Sequence, residues 1–112
     1  MKNPIKSRGY MRYTKEALTL LGQMIKLGRK TRKMSEVDFA ARAGISRATL
    51  QKIEKGDPHV EIGFFFETAH IAGVNLFEVQ SNFTTSIENT NNKIALLPQK
   101  IRKSIKGTID DF

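Results

Sequence analysis

Apolar residues recur at three- and four-residue steps along most of the chain, and no stretch alternates apolar with polar for more than a few residues. That period belongs to helices. Ala17, Leu18, Leu21, Met24, Ile25 and Gly28 fall on one face of a predicted helix that Thr14 can cap and that runs to about Lys33. The stripe reads as core, which leaves Met24 no cofactor role. A second helix is predicted from Glu36 to about Ala43, with Ser35 as N-cap, Asp38 in its first turn and Gly44 supplying the positive φ that ends it. Ser46 caps a third, Arg47 to about Lys55, which Gly56, Asp57 and Pro58 stop. A fourth spans Ile62 to Ala72, closed by Gly73, and offers Phe65, Phe66, Ala69 and Ile62 to the core. Asn75 then caps a short fifth helix that carries Leu76, Phe77 and Val79 and ends near Phe83.

The ends of the chain lack this period. Residues 1–13 contain Pro4 and Gly9 and read as a flexible basic arm. From Thr84 to Lys93, TTSIENTNNK is polar and reads as a linker; beyond it IALLPQKIRKSIKGTIDDF holds an apolar patch, a basic stretch and an acidic-aromatic end. The pattern therefore divides into a basic arm (1–13), an all-α domain of five helices (14–83) and a linker with a C-terminal tail (84–112). At 112 residues, one modest core is what such a chain can bury.

Charge changes this picture by its placement. The net charge is +8, and between Met1 and Lys33 ten basic residues face Glu16 alone. A positive field of that kind favours a polyanionic partner, nucleic acid or an anionic membrane. The basic arm has no bulky apolar face to anchor it in lipid, and Gln23 and Lys26 interrupt the apolar run behind it, so neither a signal peptide nor a membrane span is expected. With no cysteine, disulfides, thiolate metal sites and a cysteine nucleophile are excluded. A cytoplasmic location fits.

The segment Glu36 to Lys55, EVDFAARAGISRATLQKIEK, carries the clearest chemistry. Two helices that meet at a steep angle need a small residue at the contact, a glycine at the turn and apolar residues pinning the second helix from beneath. Ala40, Gly44, Leu50 and Ile53 fall at those steps, and Ile45 fills the wedge. With Leu50 and Ile53 buried, Arg47, Ala48, Thr49, Gln51, Lys52 and Lys55 point outward, and the N-terminal members of that set would meet base edges in a DNA major groove. Arg47 can donate twice to guanine, Gln51 can pair with adenine, Ala48 and Thr49 can touch a thymine methyl, and Lys52 can reach a base or a phosphate. Ser46, at the N-terminus of the same helix, and His59, in the loop after it, complete the candidate DNA-binding set.

From about Leu20 to Val79 the chain resembles the Cro/C1-type (lambda repressor-like, XRE) helix-turn-helix family, and GISRATLQKIEKGDPHVEIG is similar to its HipB-like branch. The endings LLPQKIRK and IDDF resemble the same group. The resemblance implies a twofold homodimer on a palindromic operator, repression of a toxin-antitoxin operon, and association with a HipA-type kinase toxin. It also implies that Arg29 and Glu54 form a structural ion pair between the first and third helices. Glu36 stands where many relatives carry a glutamine that contacts a phosphate; a carboxylate would repel phosphate, so a role at the helix N-terminus is expected instead.

An enzyme is not expected. His59 and His70 are the only histidines and lack a paired carboxylate arrangement or metal-ligand spacing, and no glycine loop could cradle phosphate. No cofactor or metal is anticipated. The rival reading is a protein-interaction module that keeps the fold but binds DNA weakly, or a stand-alone phage-type repressor. The tail from Pro98 could then serve as a docking segment.

Overall fold

A computed structural model describes residues 9–78 and 82–99. Among them are five helices and no strand: α1 (Arg12–Thr31), α2 (Glu36–Ala43), α3 (Arg47–Glu54), α4 (Ile62–Ala72) and α5 (Phe83–Ala95). The chain divides into two compact units, one ending at Leu76 and the other beginning at Phe77. Most of the predicted arm (1–8), Val79 and the tail beyond residue 99 lie outside the described residues.

The first unit is built by local caps. Ser35 accepts from the Asp38 amide, and Ser46 accepts from the Thr49 amide at 3.0 Å, so each oxygen satisfies a donor that the first turn leaves open. Gly44 (φ 74°) and Gly73 (φ 80°) close α2 and α4 in the left-handed region. The start of α1 differs from expectation: it begins at Arg12, within the segment assigned to the arm, behind Met11, which makes no side-chain cap. Thr14 lies inside the first turn. The helix ends at Thr31 rather than Lys33, and Lys33 takes a positive φ of 57° in the turn that follows.

The core is Ile25, Phe39, Ala40, Leu50, Ile53, Phe65, Ala69 and Ala72, with Leu18, Leu21, Ile45 and Phe64 packed against it. Each large side chain fully buried there contributes roughly 1.5–3 kcal/mol relative to exposure. Four expected core positions are corrected, two in α4 and two in α1. Phe66 and Ile62 are exposed, and Phe64 takes the inward place, because the run IGFFFETAHIA is apolar on too many sides for its period to show which face turns in. Ala17 and Met24 are likewise exposed on the outer side of α1.

Helix α1 packs on both α3 and α4. It comes within backbone contact of each. A Cβ built on Gly22 would lie 2.5 Å from the Ile53 carbonyl oxygen and 2.7 Å from that of Glu54, and one on Gly28 would strike the Ala72 backbone. Arg32 donates from Nη1 to the Ala72 carbonyl at 2.6 Å, tying the end of α1 to the end of α4 and placing a cation at a helix C-terminus.

The second unit corrects the expected fifth helix. Residues 75–78 are not helical; the helix begins at Phe83, capped by Asn82, which accepts from the Thr85 amide at 2.8 Å. The supposed linker is therefore helix. Its Thr and Asn content has poor intrinsic propensity, but the apolar residues Phe83, Ile87 and Ile94 keep a helical step. None of its residues is buried. Phe77 meets Phe83 edge to face, with ring centres 6.2 Å apart.

Candidate nucleic-acid interface

Helices α2 and α3 pack together through the small Ala40, with Gly44 turning the chain and Leu50 and Ile53 completely buried beneath α3. Ile45 is half-buried in the wedge between them. The amides of Gly44 and Ile45 donate to the carbonyls of Ala41 and Ala40, so the turn satisfies the last carbonyls of α2.

This seating makes α3 two-sided. Leu50, Ile53 and Glu54 face the body, while Arg47, Ala48, Gln51, Lys52 and Lys55 are exposed and Thr49 is half-buried. Ser46 is engaged with Thr49, accepting from its amide and donating to its hydroxyl at 3.0 Å. His59 lies in the next loop, where its amide and ring nitrogen both meet Asp57 Oδ1. Those contacts hold the Asp57 carboxyl below its ordinary range.

Beneath α3 lies a buried charge pair. Arg29 donates from Nε and Nη2 to the two oxygens of Glu54, at 2.7 and 3.1 Å, and from Nη1 to the Met34 carbonyl at 3.0 Å. Both side chains are only 6% exposed. The hydrogen bonds to Glu54 raise the Arg29 pKa against the opposing effect of burial, so the guanidinium stays charged. Glu54 is thus a scaffold group on the inner side of an otherwise basic helix.

Sequence reasoning missed what Glu36 does. Its Oε1 accepts from Arg47 Nε at 2.8 Å and from Gln51 Nε2 at 3.0 Å, and its Oε2 lies 3.9 Å from Arg29 Nη2. The hydrogen bonds from Arg47 and then Gln51 lower its pKa. The linkage follows directly: a depressed carboxylate stabilises the fold above the ordinary carboxylate range and loses that contribution as pH falls through the folded value. The only signal in the sequence was a carboxylate where a neutral amide was expected.

Among the described residues no cluster of His, Asp or Glu could hold a metal ion, and no helix is long and apolar enough to cross a membrane. No curated protein matches the chain. Residues 25–79 match the model of the helix-turn-helix family HTH_3, a span that begins in α1, takes in α2 to α4 and so contains the whole two-sided arrangement around Gly44. Match and geometry agree that this segment has the all-α Cro/C1-like helix-turn-helix fold, and the match supports a DNA-binding transcription regulator.

Proposed function

We propose that the protein is a sequence-specific transcriptional regulator that sets α3 into the major groove of a palindromic operator. The observation that carries this reading is the division of α3 into a buried apolar side and an exposed side bearing Arg47, Ala48, Gln51 and Lys52 behind a left-handed Gly44 turn. Arg47, Ala48, Thr49 and Gln51 read base edges; Ser46, Lys52, Lys55 and His59 lie toward the phosphates.

Arg47→Ala is expected to lower preference for the operator by roughly 1–3 kcal/mol, weakening operator binding more than binding to random DNA. Fluorescence anisotropy on the preferred and a scrambled duplex, across a salt series, measures both. Equal losses on the two duplexes would remove Arg47 from base reading.

A palindromic operator asks for a twofold dimer, and α5 supplies a surface for one. Phe83, Ile87 and Ile94 of α5 and Leu97 two residues beyond its end are all exposed, and in sequence they follow the four- and three-residue steps of a coiled-coil seam with Thr90 at its centre. An antiparallel twofold near Thr90 sets Phe83 opposite Leu97 and Ile87 opposite Ile94 of a second copy, the self-complementarity that such an interface requires. Ile87→Glu combined with Ile94→Glu is expected to yield a monomer by sedimentation and to weaken operator binding. A dimer that survives both changes would put the interface elsewhere.

The HipB-like resemblance of residues 44–63 supports a role as the antitoxin partner of a HipA-type kinase, repressing their common operon. Its other sequence support, the endings LLPQKIRK and IDDF, lies outside the described residues from residue 100 onward. A module that mainly holds a protein partner is favoured by a different feature: Tyr13, Leu20, Met24 and Leu27 form an exposed apolar stripe along α1. Weak, salt-sensitive binding to both duplexes would favour that reading over operator recognition.

A further inference from the structure

Glu36 occupies a position that a DNA-binding surface would ordinarily leave neutral or basic. It is the first residue of α2, beside the N-terminal end of α3, and its side chain is 28% exposed. A carboxylate there repels any phosphate backbone that approaches α3. Yet the same carboxylate grips the two side chains best suited to base recognition, Arg47 and Gln51, from 11 and 15 residues away.

The way it grips them matters. Arg47 is held through Nε, which leaves both terminal nitrogens of the guanidinium as the paired donors that guanine O6 and N7 accept. Gln51 gives one amide proton to Glu36 and keeps its second proton and its carbonyl oxygen, the donor and acceptor that adenine N7 and N6 require. A long, exposed arginine otherwise samples many rotamers, and ordering it on binding has an entropic cost. The grip removes part of that cost before DNA arrives. It also neutralises Arg47 toward phosphates in general, so that a duplex lacking the right bases gains less from this cation.

We propose that Glu36 is a specificity-determining residue, which positions Arg47 and Gln51 for base edges while its charge opposes non-specific attachment to the DNA backbone. This rests on the operator-reading function proposed above. The two effects have opposite signs on the two kinds of DNA. A residue serving only the fold would shift both the same way.

The test uses the full chain and two duplexes: the one wild-type protein selects from a random-sequence pool, and a scramble of equal composition. Glu36→Gln removes the charge but keeps an acceptor, and is expected to tighten binding to the scramble by about threefold to tenfold at low salt, with the gain fading as salt screens it. Glu36→Ala removes the grip as well and is expected to lower the selected-to-scrambled affinity ratio at least about tenfold. In an Arg47→Ala background the Glu36→Ala change is expected to lower that ratio markedly less, because its main client is gone. Circular dichroism melts accompany each variant, and a ratio that falls with folding intact supports the proposal. A high wild-type ratio that neither Glu36 variant alters overturns the role of Glu36 alone. Failure of the wild-type protein to select any duplex overturns operator reading, and this inference with it.

Discussion

Arg29→Ala is expected to lower the unfolding free energy by roughly 3–5 kcal/mol, because it strands the Glu54 carboxylate in the interior without its partner. Both oxygens of that carboxylate are engaged by Arg29, whose third donor also serves the Met34 carbonyl at the turn between α1 and α2. One truncation therefore leaves a buried charge and an under-satisfied carbonyl together. For a domain whose total stability is on the order of 5–10 kcal/mol, a loss of that size leaves little margin. Arg29→Lys keeps the charge but cannot present a planar fork to two oxygens and a carbonyl at once, so most of the loss should remain. Replacing the pair by Arg29→Met with Glu54→Leu is expected to recover much of it, since the desolvation of both ions then disappears. Urea unfolding followed by circular dichroism measures all three. A loss below about 1 kcal/mol for Arg29→Ala would mean that water reaches and solvates Glu54.

Gly22→Ala should reverse the usual sign of a glycine-to-alanine change. In a helix interior alanine is normally favoured over glycine by about 1 kcal/mol. Here the new methyl would press on two backbone carbonyls of α3, those of Ile53 and Glu54, neither of which can swing aside as a flexible side chain could. A net loss of roughly 1–3 kcal/mol is expected, and more for Gly22→Val. Gly63 in α4 is the internal control: a Cβ there meets nothing within 4 Å, so Gly63→Ala should stabilise by up to about 1 kcal/mol. Thermal melts of the two alanine variants should therefore move in opposite directions. Two upward shifts would show that α1 and α3 separate readily, and that the backbone contact contributes nothing.

These two positions also mark where the sequence stops being informative. Boundaries were legible at Ser35, Gly44, Ser46 and Gly73, each of which closes a helix within one turn of itself and borders a clear apolar period. They failed at the start of α1, where no side chain caps the helix, and at α5, where Thr and Asn conceal an apolar seam. The exposed side of α3 was readable from the burial of Leu50 and Ile53 at a three-residue step. The Arg29–Glu54 pair came only through family resemblance, since nothing in the spacing joins residues 25 apart. How closely two helix backbones approach at Gly22, and which side chains Glu36 collects, depend on the assembled tertiary structure. A one-dimensional pattern does not carry that information.

The two-sidedness of α3 has a practical consequence for retargeting. A library randomised at Arg47, Ala48, Gln51 and Lys52 alters only exposed side chains and leaves the Leu50, Ile53 and Glu54 anchors in place, so its members should inherit one scaffold at nearly one stability. Their binding behaviour would still not be independent of the rest of the chain. A carboxylate fixed at position 36 would favour donors at 47 and 51 and disfavour Asp and Glu there, narrowing the bases that the library could reach. Diversifying position 36 together with 47 and 51 would turn three separate choices into one coupled recognition unit.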